Sequence, residues 1–117
     1  GAGAPFALPS LYIAVARRFP ELRIILAHGG GGLYVGECIV AAGVCPNIFV
    51  ELSSLMPHHL SEVLQHVPSS RLLIGSDLPE SVAAEIDKVI GLKVQDVVKR
   101  DILWNTAEKL FGTETKQ

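Results

Sequence analysis

The chain has 117 residues, of which 49% are hydrophobic and 19% charged, with a net charge of −2 and a pI near 6.1. This composition is typical of a single globular domain with a substantial core, and it excludes a disordered chain. No apolar run reaches the roughly 18 residues that span a bilayer, and the basic residues are scattered rather than clustered. We therefore expect neither a membrane nor a nucleic acid as a partner.

The two cysteines, Cys38 and Cys45, are not part of any Cys-x-x-Cys pair. This spacing excludes a zinc ribbon and a disulfide scaffold. Buried free thiols in a reducing compartment are the simplest interpretation. Residues 1–5 carry neither the basic nor the apolar segment of a signal peptide. We expect a cytoplasmic protein.

The first half of the chain predicts a helix, a strand and a second helix. Pro9 and Ser10 open the first helix, which has apolar positions to Phe19 and is stopped by Pro20. A short apolar strand at residues 23–27 then runs into four consecutive glycines, residues 29–32. The second helix covers residues 33–42 and ends near Gly43.

The second half continues the alternation. Strands are predicted at residues 48–52 and 71–75, with a helix at 57–67 between them. Ser81 is a candidate cap for a further helix, because the apolar residues after it recur at helical spacing. Two more helices are predicted at residues 94–102 and 106–111, followed by a polar, frayed tail at 113–117.

Strands that alternate with helices predict an α/β fold built from parallel βα units. Three such strands would leave two sheet edges open, which natural sheets avoid. The chain therefore has the pattern of one partial domain, residues 1–117, belonging to a larger sheet.

His28 ends the strand at residues 23–27 and precedes the glycine run. Glycines allow a ligand or another backbone to approach closely. A histidine that only packs or caps in a turn is the competing interpretation. The glycine run lacks the Lys-Ser/Thr end of a Walker A motif and the acidic partner of a dinucleotide fingerprint, so nucleotide binding is not expected.

Asp77 follows the strand at residues 71–75, at the end where α/β folds place ligands and catalytic groups. An aspartate here could cap the next helix, but Pro79 lies two residues on and leaves it equally free to face a pocket. Its carboxylate suits a divalent ion or a proton transfer beside metal-bound water. His28 and Asp77 are the candidate catalytic residues.

Ser53 and Ser54 end the middle strand, and with Gly29 and Gly30 they are the candidates for a substrate pocket. No Gly-x-Ser-x-Gly motif surrounds the serines, which argues against a Ser-His-Asp hydrolase. Glu51 either points into a barrel or pairs with an arginine, and the sequence leaves both open.

Four stretches in order resemble the amidohydrolase superfamily, and within it the amidohydrolase-related group that includes aminocarboxymuconate semialdehyde decarboxylase-like enzymes. Their order and spacing match over nearly the whole chain, which makes the resemblance stronger than any single stretch would. The stretches are residues 18–31 (RFPELRIILAHGGG), 46–54 (PNIFVELSS), 71–79 (RLLIGSDLP) and 102–112 (ILWNTAEKLFG).

The resemblance implies a TIM-barrel-like, metal-dependent hydrolase fold, of which this chain supplies the last three strands as an incomplete barrel. It implies a divalent metal, commonly Zn²⁺, with Asp77 as a ligand and proton shuttle and His28 as the residue that assists catalysis beside it. The reaction would be hydrolysis of a C–N or C–O bond, or a nonoxidative decarboxylation, of a small-molecule substrate.

The family's first-strand His-x-His pair and fifth-strand histidine do not occur in the sequence, and residues 1–6 resemble the loop just beyond that fifth strand. One carboxylate holds zinc poorly, so we expect this chain alone to bind metal weakly and to be inactive. The missing ligands would come from a complementing amino-terminal barrel segment. The alternative is a non-catalytic α/β fragment that acts as an assembly or interaction module, for example as a homo-oligomer.

Overall fold

The computed structural model describes residues 8–112, so the loop expected at residues 1–6 and the frayed tail expected at 113–117 lie outside the described residues. Three parallel strands form one open sheet in the order β1 (Ile24–Leu26), β2 (Ile48–Glu51) and β3 (Leu72–Leu73). Ile24 pairs with Ile48, and Val50 pairs with Leu72. The prediction of an α/β fold with parallel βα units is therefore confirmed.

Helices follow each strand, and short 3₁₀ turns at Pro9–Leu11, Ala27–Gly30, Ser69–Arg71 and Pro79–Ser81 join the elements. The helices are α1 (Tyr12–Arg18), α2 (Val35–Val44), α3 (Pro57–Leu64), α4 (Val82–Ile90), α5 (Asp96–Arg100) and α6 (Thr106–Phe111).

Two local predictions are corrected. The helices expected at residues 94–102 and 106–111 form one continuous run, because a π-helix at Asp101–Asn105 joins α5 to α6. Ser81 makes no side-chain capping bond to α4, since it already belongs to the preceding 3₁₀ turn.

The core takes buried residues from the sheet, α2, α3, α4 and the π-helix. Helix α2 buries Val35, Cys38, Ala41 and Ala42, which share one face and are small enough for the helix to approach β2 closely. Strand β2 is central, and its first three residues are fully or almost fully buried. In β1, by contrast, only Leu26 is buried, as expected for a strand at an open edge.

Polar side chains close the amino end of the sheet. Arg71 Nη1 donates to the carbonyls of Ala42 (2.7 Å), Ile48 (3.0 Å) and Cys45 (3.1 Å), at the end of α2 and the start of β2. The Asn47 amide donates in the same way to the carbonyls of residues 16, 19 and 22, at the end of α1 and beyond it. Most of these carbonyls lie at or just beyond a helix end, where the helix itself leaves them without a partner.

Both cysteines are free and buried. Burial raises the pKa of the Cys38 thiol to about 12, because the apolar surroundings disfavour the thiolate. Across residues 8–112, no helix combines the length and the apolar character needed to cross a membrane.

Candidate functional site

A polar residue with left-handed backbone follows each of the three strands. His28 has φ 60°, Ser54 has φ 67° and Asp77 has φ 67°, and they are the non-glycine residues with positive φ among residues 8–112. Such backbone costs about 1–3 kcal/mol per residue and persists only where the surrounding structure enforces it. Strained backbone at the carboxyl ends of all three strands indicates that a functional site lies at this end of the sheet.

His28 and Asp77 meet there. The His28 Nε2 atom lies 3.7 Å from Asp77 Oδ1, and the two side chains are 39% and 51% exposed. The distance is beyond hydrogen-bond range, so neither atom saturates the other. Both atoms remain open to a ligand or a solvent molecule that contacts the two together.

Asp77 does not serve as a helix cap. The 3₁₀ turn Pro79–Ser81 is preceded by Leu78 as its N-cap, and neither this turn nor α4 has a side-chain capping bond. Of the two interpretations that the sequence left open, the structure favours a carboxylate that faces the end of the sheet.

Glu51 connects all three strand ends. Its Oε1 accepts from the His28 N–H (3.1 Å) and the Ser53 hydroxyl (2.8 Å), and its Oε2 accepts from the N–H groups of Ser53 (2.6 Å) and Gly75 (2.8 Å). A carboxylate offers about four acceptor positions, so this one is saturated. We call these four residues, His28, Glu51, Ser53 and Gly75, the Glu51 network.

Sequence reasoning left Glu51 undecided, yet one signal was available. Glu51 is the only charged residue in a run of otherwise apolar residues, 48–52. A carboxylate in such a buried run needs several hydrogen-bond donors, and the N–H groups of neighbouring strand ends are the nearest supply.

The substrate-pocket candidates occupy different environments. Ser53 is buried, and its Oγ lies 3.0 Å from His28 Nδ1. Ser54 is exposed, and its N–H donates to Glu85 Oε2 (2.8 Å). Gly29 is buried, and a Cβ there would lie 2.6 Å from Leu55 Cδ1, whereas Gly30 is partly exposed. Their role in substrate binding stays a prediction.

An ion pair fixes the loop after β2 from the other side. Lys88 pairs with Glu85, and its Nζ also donates to the carbonyls of Leu52 (3.0 Å) and Leu55 (2.8 Å). Both charged side chains are largely buried, at 10% and 13% exposure. Helix α4 therefore anchors the loop that carries Ser53 and Ser54.

A cavity of about 380 Å³ opens beside β1. Its walls are mostly apolar residues of β1 and of the Pro9–Leu11 turn, and His28 and Gly30 also line it. His28 therefore contacts both the cavity and the space in front of Asp77.

The donor set fits part of a metal site. Two neighbouring ligand atoms of tetrahedral zinc lie about 3.4 Å apart, which is close to the His28–Asp77 separation. Glu51 is saturated and has no acceptor position left for a metal. Within residues 8–112, no group of three His, Cys, Asp or Glu side chains is placed to hold an ion.

The sequence model of a family described as amidohydrolase matches residues 2–113. The chain belongs to the amidohydrolase family. A crystal structure of an amidohydrolase II superposes on 83% of the chain with a TM-score of 0.64 and 18% sequence identity. This chain spans 37% of the length of that amidohydrolase. The fold is therefore a partial TIM-barrel-like amidohydrolase fold. A comparison with curated proteins gives no match.

Proposed function

We propose that this amidohydrolase chain supplies the last three strands of the barrel of a metal-dependent hydrolase acting on C–N or C–O bonds, or of a nonoxidative decarboxylase. The proposal depends mainly on one observation: His28 Nε2 and Asp77 Oδ1 lie 3.7 Å apart at the carboxyl ends of β1 and β3. Active sites of barrel enzymes are built at this end of the strands.

Asp77 is the residue that would hold the metal, proposed to be Zn²⁺, and His28 lies beside it. Such an ion, when bound, lowers the pKa of a coordinated water to about 7. The Asp77 carboxylate would accept a proton at Oδ1, and the His28 ring would hydrogen-bond the reacting group through Nε2. The substrate would be a small molecule that reaches these atoms from the end of the sheet.

The remaining metal ligands would come from outside residues 8–112. A zinc site needs three or four protein ligands, and His28 and Asp77 supply at most two. A complementing amino-terminal barrel segment is therefore the proposed partner. By itself the 117-residue chain binds metal weakly and is inactive. The two buried free thiols support a reducing compartment such as the cytoplasm.

Zinc titration by calorimetry tests this proposal. We expect the 117-residue chain to bind zinc no more tightly than micromolar, and Asp77→Ala to remove that binding. Asp87→Ala is the matched control, because it removes an exposed carboxylate from α4 without touching the site. Binding that is unchanged in Asp77→Ala would exclude Asp77 as a ligand, and submicromolar binding that depends on Asp77 would refute the weak, incomplete site.

The second candidate function is a non-catalytic assembly module. It is favoured by β1, where Ile24 and Ile25 are only partly buried and the pairing partner within residues 8–112 is β2 alone. An open apolar edge of this kind promotes strand pairing between copies. Sedimentation velocity separates the two: a stable homo-oligomer whose zinc binding does not depend on Asp77 would favour the module over the enzyme.

A further inference from the structure

The direction of each hydrogen bond in the Glu51 network is fixed by elementary chemistry. An ionised carboxylate only accepts hydrogen bonds. The Ser53 hydroxyl, 2.8 Å from Glu51 Oε1, must therefore donate its single hydrogen to that oxygen. Ser53 Oγ can then only accept at its other contact, the 3.0 Å contact with His28 Nδ1.

The consequence for the histidine is a defined tautomer. If Ser53 Oγ accepts, His28 Nδ1 carries the hydrogen, and in the neutral ring Nε2 has the free electron pair. Nε2 is the atom that lies 3.7 Å from Asp77 Oδ1. The electron pair is therefore on the ring nitrogen that lies 3.7 Å from the Asp77 carboxylate.

The same carboxylate also fixes the backbone on both sides of that space. Glu51 accepts from the His28 N–H, which holds the left-handed residue in place, and from the Gly75 N–H, two residues before Asp77. A Cβ at position 75 would lie 3.1 Å from Glu51 Oε2, so glycine lets β3 approach the carboxylate this closely. One carboxylate thus sets the position of His28 and the start of the segment that carries Asp77.

We infer that Glu51 and Ser53 are positioning residues which hold His28 in the Nδ1–H tautomer, so that its free electron pair is on Nε2, the nitrogen 3.7 Å from Asp77 Oδ1. This inference rests on the proposed function for its catalytic meaning, but the tautomer itself does not depend on it. In functional histidines generally, the hydrogen bond that one ring nitrogen makes to a neighbouring residue sets which nitrogen carries the hydrogen. Ser53 therefore acts through His28, whether or not it also touches a substrate.

Long-range ¹H–¹⁵N correlation NMR on the metal-free 117-residue chain tests the inference. At a pH where the ring is neutral, we expect His28 Nδ1 to show the ¹⁵N shift of a protonated nitrogen and Nε2 that of an unprotonated one. Ser53→Ala removes the acceptor and should shift the tautomer ratio toward Nε2–H by about tenfold. Ser53→Thr, which keeps the hydroxyl, should restore the wild-type pattern.

Ser61→Ala, at an exposed position of α3, is the control and should leave the His28 shifts unchanged. An Nε2–H signal in the wild-type chain would overturn the inference by itself. The test therefore does not depend on whether the Ser53→Ala protein folds. A wild-type ratio in a folded Ser53→Ala protein would overturn it as well. Because no metal is used, the Nδ1–H tautomer can be found even if the zinc titration contradicts the proposed function.

Discussion

At the amino end of the sheet, Arg71 and Asn47 each donate to three backbone carbonyls, whereas at the carboxyl end Glu51 accepts from three backbone N–H groups and a hydroxyl. The topology explains why the side chains donate hydrogen bonds at one end and accept them at the other. Helices α1 and α2 end at the amino side and leave carbonyls without partners. The strands end at the other side in turns that present N–H groups.

The two ends of the sheet use partly buried polar side chains for different purposes. At the amino end, Arg71 and Asn47 satisfy regular helix ends, and no non-glycine residue there has positive φ within the described part of the chain. At the carboxyl end, Glu51 holds a turn in which His28 is left-handed, and that turn carries chemistry-bearing side chains. The contacts at the amino end thus stabilise the fold. At the carboxyl end, strained backbone costs stability but sets the positions of the chemistry-bearing side chains, as in barrel enzymes generally.

The largest effect should come from Glu51→Ala. It leaves three backbone N–H groups, all of buried or partly buried residues, and one hydroxyl without their acceptor. This should lower the free energy of unfolding by about 3–5 kcal/mol. Urea denaturation measures it, with Glu62→Ala on the exposed side of α3 as the control. A loss below about 1 kcal/mol would mean that the carboxylate does not organise this end.

Arg71→Met should cost about 2 kcal/mol, since three carbonyls lose a charged donor but some can turn to water. Urea denaturation again measures the change, and Arg17→Met, at an exposed site in α1, is the control. The comparison predicts that the His28 ¹⁵N shifts stay as in the wild type. A changed tautomer in Arg71→Met would show that the two ends are not separate.

Thiol labelling shows which part of the chain Arg71→Met destabilises. Cys38 is buried with a raised pKa, and the Cys45 carbonyl is one of the acceptors of Arg71. We expect Arg71→Met to raise the rate at which a thiol reagent labels the native chain at pH 8 by about tenfold, because the end of α2 opens more often. Ser53→Ala should stay within about twofold of the wild type. Equal acceleration in both variants would contradict a local effect.

The smallest effect concerns Asp101. The hydrogen bond from Ser69 (2.5 Å), with one from Asn105 (3.0 Å), lowers the pKa of this carboxyl. A lowered folded-state pKa gives stability that is present above the ordinary value near 4 and is lost as pH falls through the lowered one. Asp101→Asn should therefore flatten the fall in melting temperature as the pH drops below about 4. Asp87→Asn, with an exposed carboxyl, should leave that slope unchanged.

Much of the fold could be read from residues near one another in the chain. Short apolar runs bounded by turn residues located all three strands, and each predicted helix has its counterpart. Boundaries were less accurate, as the shortened β3 and the π-helix at Asp101–Asn105 show. Those details depend on contacts such as the bond from Ser69 to Asp101, which links residues 32 positions apart.

By itself, the sequence determined which side chains end the strands, because a run of buried residues and the turn after it are local properties of the chain. It therefore placed His28 and Asp77 at strand ends. Only the tertiary structure decided that these two side chains face each other, that Ser53 hydrogen-bonds the imidazole, and that Glu51 joins three loops. The physical reason is that a partly buried carboxylate takes its donors from whichever backbone lies nearest in space, and the order of residues along one strand does not specify those neighbours.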